Sequence, residues 1–295
     1  MFGITSAFSP GFASPSHIAV LLLGASFIGI VGLGQTFVVL GGGIDLSIPA
    51  LVTAGGILMA RFTGGDDAAL LWAVPLILSG AAVIGLINGI GVAMLNVSPI
   101  VMTLGMSGIA SGALLVYTGG SPAKAPPPLI SRLANEPLGV IRWDVLIWAA
   151  IALAAMFILS RTTFGRALYA VGSNKTVAKF SGLPVERVIV TTYVTSAVTS
   201  ALAGILLTGY TGQAYLSMGV PYLFSSVAAV AIGGMPLVGG SGHYAGTIAG
   251  ALILTVLEGL LPVLNLNVAA LPVIYGLVIL LTVVMASGRF RRESL

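Results

Sequence analysis

The chain of 295 residues is 57% hydrophobic and only 7% charged, whereas a typical soluble domain is roughly 25% charged. This composition excludes a water-soluble globular protein, and the 40 glycines are typical of closely packed membrane helices. The absence of cysteine excludes a disulfide framework, a thiolate nucleophile and a cysteine-based metal site. The net charge of +4 comes from scattered residues, so no nucleic-acid-binding surface is predicted.

Long apolar stretches predict membrane-spanning helices, because one crossing needs about 20 apolar residues. Residues 68–123 and 188–257 contain no Asp, Glu, Lys or Arg, and each is long enough for at least two crossings. We expect one all-α polytopic transmembrane domain over residues 1–295, with about nine spans. The second and seventh are short enough to be broken or re-entrant. The predicted spans are 17–40, 44–60, 70–95, 98–117, 144–160, 190–210, 222–238, 245–262 and 269–286.

Basic residues predict the side of the membrane that each loop faces. Eight lie in the segment 161–189 and in the C-terminal tail, namely Arg161, Arg166, Lys175, Lys179, Arg187, Arg289, Arg291 and Arg292. We therefore expect both segments to be cytoplasmic, which places the loop 118–143 outside. The N-terminus is then also outside, yet residues 1–16 carry no charged signal sequence. This odd span count suggests that one earlier span is absent from this chain.

A glycine run interrupts the apolar sequence between the first two predicted spans. Gly41, Gly42 and Gly43 would break a helix, and non-helical backbone is tolerated in a membrane only inside protein or beside a water-filled cavity. Asp45 follows, and an intramembrane carboxylate is a functional candidate because lipid cannot solvate it. Two interpretations stay open and are compatible with each other: Asp45 is the N-cap of the next helix, and Asp45 lies on a solute pathway.

A second glycine-rich stretch, Gly233–Gly240, breaks the apolar sequence nearer the C-terminus. Paired breaks in two halves of a chain indicate the central site of a transporter, although these two breaks share composition rather than a residue-by-residue match. Glu258 is the other acidic residue within a span. It lies one turn before Pro262, so we expect its side chain to reach the membrane surface rather than to be buried.

Glycines four residues apart occur on three predicted helices, at Gly85 and Gly89, at Gly108 and Gly112, and at Gly242, Gly246 and Gly250. Such motifs allow the backbones of two membrane helices to approach closely. They predict either fixed packing or a seam along which helices slide, and the sequence does not separate these alternatives.

The basic segment 161–189 contains a predicted amphipathic helix, residues 174–181, which is closed by Gly182. Its apolar contacts are expected from Val177, Ala178 and Phe180. One interpretation is a helix that lies on lipid headgroups through Lys175 and Lys179. The other is a helix that inserts into a groove on a cytoplasmic protein.

No pattern typical of catalysis or of a metal site occurs. A hydrolase elbow, a Walker motif and a zinc-protease motif are absent, and His17 and His243 lie far apart. Gly240–Ala245 formally fits a dinucleotide-binding pattern, but it lies between apolar spans without a βαβ unit. We therefore expect no enzyme activity, no metal and no cofactor.

Three stretches together resemble the permease subunits of ribose-type ABC importers for simple sugars. They are Gly42–Ser47 (GGIDLS), the loop Arg161–Arg187 with Gly172-Ser-Asn174, and the block Ala228–Gly242 followed by Gly246–Gly250. The similarity covers about residues 8–290. It implies a permease of about ten spans in the bacterial cytoplasmic membrane that pairs with a second copy or a paralogue. It also implies an ATPase subunit on the inside and a sugar-binding protein that docks outside on 118–143.

The resemblance also implies roles for particular residues. The segment that couples to the ATPase maps to Asn174, Lys175, Val177, Ala178, Phe180 and Gly182. Lys175–Ala178 departs from the acidic-x-Ala-Ala sequence frequent in the family. The substrate path maps to Gly43, Asp45, Ser47, Gly233 and Gly234.

The alternative function is a stand-alone ion-coupled secondary transporter or channel, in which Asp45 or Glu258 couples to ions.

Overall fold

The computed structural model describes residues 14–121, 125–138, 141–263 and 267–293. These residues form twelve α-helices: α1 (Pro15–Leu40), α2 (Ile48–Thr63), α3 (Leu70–Ala93), α4 (Pro99–Thr118), α5 (Pro128–Asn135), α6 (Trp143–Arg161), α7 (Thr163–Ser173), α8 (Lys175–Phe180), α9 (Val185–Thr211), α10 (Tyr222–Ile232), α11 (Tyr244–Val263) and α12 (Leu271–Glu293). A two-residue antiparallel ladder pairs β1 (Pro137–Leu138) with β2 (Ile141–Arg142). The predicted all-α membrane fold is confirmed.

Each of the nine predicted spans coincides with one helix. Six helices of the described chain are long and apolar enough to cross a membrane: α1, α3, α4, α6, α9 and α11. The apolar helices α2 and α10 have 16 and 11 residues, or about 24 and 16 Å at 1.5 Å per residue. Both are shorter than a hydrocarbon core of about 30 Å, as predicted for the second and seventh spans.

The termini of the predicted domain 1–295 lie outside the described residues, as do the side chains of the three C-terminal arginines and parts of the loop 118–143. The rest of that loop contains a helix, α5, which was not predicted from the sequence. Pro128 occupies the first turn of α5, where its missing N–H costs nothing. Ile130 and Ala134 are buried, and α5 packs on α9.

Several helix boundaries also differ from prediction, and two of these differences have a clear physical cause. Helix α9 begins at Val185, five residues earlier than expected, because Val185, Val188 and Ile189 are buried in the core and extend the helix beyond the charge-free stretch. Helix α10 ends at Ile232 rather than at residue 238, because the chain turns at Gly234, whose φ of 81° lies in the left-handed region.

Helices α1 and α9 form the centre of the bundle. In each of these two helices, 67% of the most apolar 18-residue stretch is buried inside the protein, compared with 22% in α3 and in α4. Helix α9 packs on α1, α2 and α3, while α1 packs on α10 and α11. Helices α3, α4, α6 and α12 lie outside this pair and expose apolar side chains, as expected for residues that face lipid.

Glycines make the closest of these helix contacts. A Cβ atom added at Gly85 would lie 2.6 Å from the Tyr193 carbonyl oxygen, and one at Gly89 would lie 2.6 Å from the Val190 Cα. Added Cβ atoms at Gly246 and Gly250 would overlap the backbone of the segment that begins with α10. Two of the three predicted glycine motifs therefore pack helices together within the chain. The third, Gly108 and Gly112, meets no atom within 4 Å among the described residues.

Candidate functional site

The first predicted break in a membrane helix is present. Helix α1 ends at Leu40, Gly41 and Gly42 form a turn, and the backbone is non-helical until α2 begins at Ile48. Gly43, Asp45 and Ser47 are all buried. Lipid cannot satisfy this non-helical backbone, so its polar groups need partners from the protein.

The Asp45 carboxylate accepts one backbone and two side-chain hydrogen bonds at this break. Its Oδ1 accepts hydrogen bonds from the Ser47 N–H at 2.8 Å and from the Ser47 Oγ at 2.6 Å. Its Oδ2 accepts a hydrogen bond from the Ser196 Oγ of α9 at 2.7 Å. The Asn88 Nδ2 of α3 donates to the Ser47 Oγ at 3.0 Å. The carboxylate therefore holds the break between α1 and α2 against two neighbouring helices.

Asp45 is not the N-cap of α2, which corrects one of the two predicted interpretations. The N-cap is Ser47. The backbone N–H that donates a hydrogen bond to Asp45 belongs to this cap residue rather than to the first turn of the helix. Asp45 is 1% exposed, so its carboxylate is enclosed by protein in this conformation. It stabilises the turn that precedes the helix, by the same chemistry as a cap.

Thr103 of α4 completes the support of this break. Its Oγ1 accepts a hydrogen bond from the Leu46 N–H at 2.9 Å and donates to the Pro99 carbonyl oxygen of its own helix at 2.8 Å. The sequence did not identify Thr103 or Ser196 as partners of the break. Each is one polar residue among many in an apolar span, and no spacing ties either of them to Asp45.

The second predicted break is also present. Helix α10 ends at Ile232, and α11 begins at Tyr244. The intervening backbone is held mainly by close contacts of glycine: a Cβ atom at Gly233 would lie 2.6 Å from the Thr247 backbone nitrogen. Side chains of α7 assist: the Tyr169 hydroxyl donates to the Gly242 carbonyl oxygen at 2.7 Å, and the Ser173 Oγ to the Gly240 carbonyl oxygen at 3.4 Å. Burial raises the pKa of Tyr169, which keeps this hydroxyl protonated and able to donate.

The two breaks contact each other. The Gly240 N–H donates to the Leu40 carbonyl oxygen at 3.0 Å, and a Cβ atom at Gly239 would lie 2.8 Å from the Gly42 backbone. The end of α7 lies at the same point. A Cβ atom at Gly172 would overlap the Leu40 carbonyl oxygen and lie 2.7 Å from the Gly240 nitrogen. We call the contact of Leu40, Gly42, Gly172, Gly239 and Gly240 the glycine junction.

The predicted short helix in the basic segment is α8. The Asn174 Oδ1 caps it by accepting a hydrogen bond from the Val177 N–H at 3.0 Å, and Gly182 follows its last turn with a φ of 78°. Ala178 is 3% exposed and packs into the core, whereas Val177 and Phe180 are 59% and 89% exposed. Within the described chain Ala178 makes apolar contacts, and the contacts expected of Val177 and Phe180 stay a prediction.

Helix α8 follows the glycine junction directly along the chain. Gly172 is part of the junction, Ser173 contacts Gly240, and the next residue is the cap of α8, Asn174. At the other end of α8, the Lys179 Nζ forms an ion pair with the Glu186 Oε1 at 2.6 Å. The two exposed apolar side chains of α8 therefore lie on a helix that is joined to the glycine junction at its start and paired with α9 at its end.

Comparison with known proteins identifies the family. Residues 17–285 match the family model described as the permease component of the branched-chain amino acid transport system. The chain belongs to this family. The permease is 33% identical over 290 residues to the ribose import permease protein RbsC of Escherichia coli (strain K12), which covers 97% of this chain and 90% of the relative.

Other relatives agree with this assignment. The ribose import permease protein RbsC of Bacillus subtilis (strain 168) is 34% identical over 288 residues, or 96% of this permease and 88% of the relative. The fructose import permease protein FrcC of Rhizobium meliloti is 32% identical over 253 residues, or 83% and 70% of the two chains. No solved structure gave a significant match. The resemblance to ribose-type permeases is confirmed.

The second acidic residue within a span of this permease has a partner. The Glu258 carboxylate accepts a hydrogen bond from the Tyr275 hydroxyl of α12 and is partly buried. A neighbouring helix therefore supplies a donor for this carboxylate, and the position of Glu258 at the membrane surface stays a prediction. His243 lies against the ring of Tyr169, with ring centroids 6.4 Å apart. Among the described residues, no three His, Cys, Asp or Glu side chains form a group that could hold a metal ion.

Proposed function

We propose that the chain is the permease subunit of an ABC importer for a simple sugar or a similar small polyhydroxylated solute. The observation that carries the proposal is the 33% identity to a ribose import permease over 90% of that relative's length. A second relative is named as a fructose import permease, so its substrate is also a simple sugar. The permease forms the translocation path, and ATP is hydrolysed on a separate subunit.

Three partners follow from this function. An ABC ATPase subunit binds the segment 161–189 on the cytoplasmic side, and a second permease copy or a paralogue completes the path. An extracytoplasmic sugar-binding protein docks on the loop 118–143. The excess of basic residues in 161–189 supports the cytoplasmic position of this segment and of the C-terminus, in a bacterial inner membrane. No nucleic acid is involved.

The exposed side chains of α8 support its role as the element that couples to the ATPase. Val177 and Phe180 are apolar, project from a cytoplasmic helix, and have no cover within the described chain. A short helix that presents such side chains fits an apolar groove on a partner. Asn174, Lys175, Ala178 and Gly182 complete the segment: Asn174 caps α8, Ala178 anchors it, and Gly182 turns the chain away from it.

The glycine junction supports a route from the ATPase to the substrate path. A displacement of α8 moves Gly172, which touches the carbonyl oxygen of Leu40 and the nitrogen of Gly240. Leu40 lies at the start of the first break, and Gly240 belongs to the second break. One movement of α8 therefore shifts both breaks. The residues of these breaks that we place on the wall of the path are Gly43, Asp45, Ser47, Gly233 and Gly234. Asp45 keeps the first break in shape as the wall moves.

Purification and transport test the function together. The permease should co-elute with its ABC ATPase. Proteoliposomes that contain this complex should accumulate the sugar carried by the cognate binding protein, and only when ATP is enclosed with the ATPase. Uptake by the permease alone in ATP-free vesicles, driven by an ion gradient, would contradict the proposal and favour an ion-coupled transporter.

A further inference from the structure

An apolar groove runs along α9 between its cytoplasmic end and the middle of the membrane. It consists of two cavities of about 360 and 490 Å³, which share Phe164 and Thr191 in their linings. The first opens beside Pro184 and Arg187 at the start of α9. The second continues to Thr199, with α6 as the opposite wall. We call this feature the α6–α9 groove.

The length of the groove matches one leaflet of a bilayer. From Arg187 to Thr199, α9 rises about 18 Å at 1.5 Å per residue. Half of a hydrocarbon core of about 30 Å is about 15 Å. Leu33 and Phe37 of α1 lie at the deep end, and both are otherwise buried in the protein. A transmembrane helix from another subunit would be expected to follow both leaflets, whereas this groove follows one.

The lining of the groove suits a hydrocarbon chain. The wall from α6 consists of Ile151, Ala154, Ala155 and Ile158. The hydroxyls of Thr191, Thr195 and Thr199 each donate to the carbonyl oxygen four residues earlier in α9, at 2.8 to 2.9 Å. These threonines therefore use their donors within the helix, and the groove offers few free donors for a sugar hydroxyl.

The mouth of the groove carries an unpaired positive charge. Arg187 lines the mouth and is exposed. The one ion pair in the described part of the chain joins Lys179 to Glu186, so the guanidinium of Arg187 has no carboxylate partner there. A basic group at the headgroup level above an apolar groove complements a lipid phosphate joined to an acyl chain.

We propose that the α6–α9 groove binds one anionic phospholipid of the cytoplasmic leaflet. Its phosphate lies at Arg187, and one acyl chain lies along Phe164 and the threonine face of α9 towards Leu33. The assignment to the cytoplasmic leaflet rests on the proposed function, which places the segment 161–189 inside. Because Phe164 belongs to α7, the lipid touches the element that carries the glycine junction.

Native mass spectrometry of the permease–ATPase complex in detergent tests this site. The complex is titrated with phosphatidylglycerol, and separately with zwitterionic phosphatidylcholine. We expect one tightly bound phosphatidylglycerol per permease. Arg187→Gln should weaken its binding about fivefold, as expected for one basic residue at a membrane surface. Ala154→Phe should also weaken binding because it fills the groove without changing a charge.

Matched variants outside the groove serve as controls. Arg166 is exposed on α7 and Leu153 is exposed on α6, and neither lines the groove. Arg166→Gln and Leu153→Phe should leave phosphatidylglycerol binding unchanged. Equal binding of the two lipids, or unchanged binding in Arg187→Gln and Ala154→Phe, would overturn the proposal. A disulfide between two permease copies through Ala154→Cys would also overturn it, because a second copy would then fill the groove.

This test separates the lipid site from the proposed function. The same spectra report whether the ATPase is bound. A complex with ATPase but without selective lipid binding disproves the lipid site alone. Selective lipid binding by a permease that never associates with an ATPase supports the lipid site but contradicts the proposed function.

Discussion

The two breaks in the membrane helices are stabilised in different ways. The break between α1 and α2 is held by side-chain hydrogen bonds, in which Asp45 accepts from Ser196 and Thr103 accepts from Leu46. The break between α10 and α11 is held mainly by backbone contacts that require glycine, such as Gly233 against Thr247. The first break therefore depends on a few polar groups, and the second depends on the absence of side chains.

The breaks also differ in exposure. Asp45 and Ser47 are buried, whereas Gly234 and Val238 in the second break are exposed. Exposed backbone with few buried apolar contacts is expected to rearrange more easily than a buried hydrogen-bonded network. We infer that the second break changes conformation more readily, whereas the first break keeps its shape when both are displaced.

The largest expected effect comes from Gly172→Ala in the glycine junction. The added methyl group would overlap the Leu40 carbonyl oxygen and must push α7 away from both breaks. We expect ATP-driven sugar uptake in proteoliposomes to fall at least about tenfold, because close-packed backbone cannot give way. Gly108→Ala is the control, since a Cβ atom there meets open space. Equal uptake rates in the two variants would show that the junction does not transmit movement.

Asp45→Ala should have the next largest effect, because it removes the acceptor of three hydrogen bonds. Each buried donor left without a partner costs about 1–3 kcal/mol, so we expect a loss of several kcal/mol in the free energy of unfolding. Uptake should fall while the complex still assembles. Thermal unfolding in detergent and uptake in proteoliposomes measure these effects. A variant with unchanged stability and uptake would refute the supporting role of the carboxylate.

A smaller effect separates two serines on the same helix. Ser196 and Ser200 are both fully buried on α9, but Ser196 donates to Asp45, whereas the Ser200 Oγ has no partner among the described residues. Ser196→Ala should lower the free energy of unfolding by about 1–2 kcal/mol. Ser200→Ala should change it by less than about 0.5 kcal/mol or stabilise the protein, because no hydrogen bond is lost. Similar melting temperatures for the two variants would contradict the network around Asp45.

The sequence predicted the helices and both breaks because these depend on local properties. Apolar length fixes the spans, and runs of glycine mark where a helix ends, as at Gly41–Gly43 and Gly233–Gly240. Asn174 and Gly182 likewise delimit α8 by local capping rules. These predictions hold because neighbouring residues alone decide them.

The partners of the breaks could not be predicted in the same way. Ser196 is 151 residues from Asp45 along the chain, and the three-dimensional packing of α1 on α9 brings them together. The pairing of Glu258 with Tyr275 likewise depends on how α12 lies beside α11. Helix α5 was not predicted from the sequence, because its buried face is defined only by its packing on α9.

Coupling through α8 is the central claim, and the double variant Val177→Glu and Phe180→Glu tests it most directly. Both side chains are exposed, so the charges should not disturb the permease itself. The measurement is ATP-driven sugar uptake by proteoliposomes that contain permease, ATPase and binding protein. We predict that uptake is lost while the variant retains the melting temperature of the parent permease. Uptake at the parent rate would contradict the claim that an ATPase drives this permease through α8.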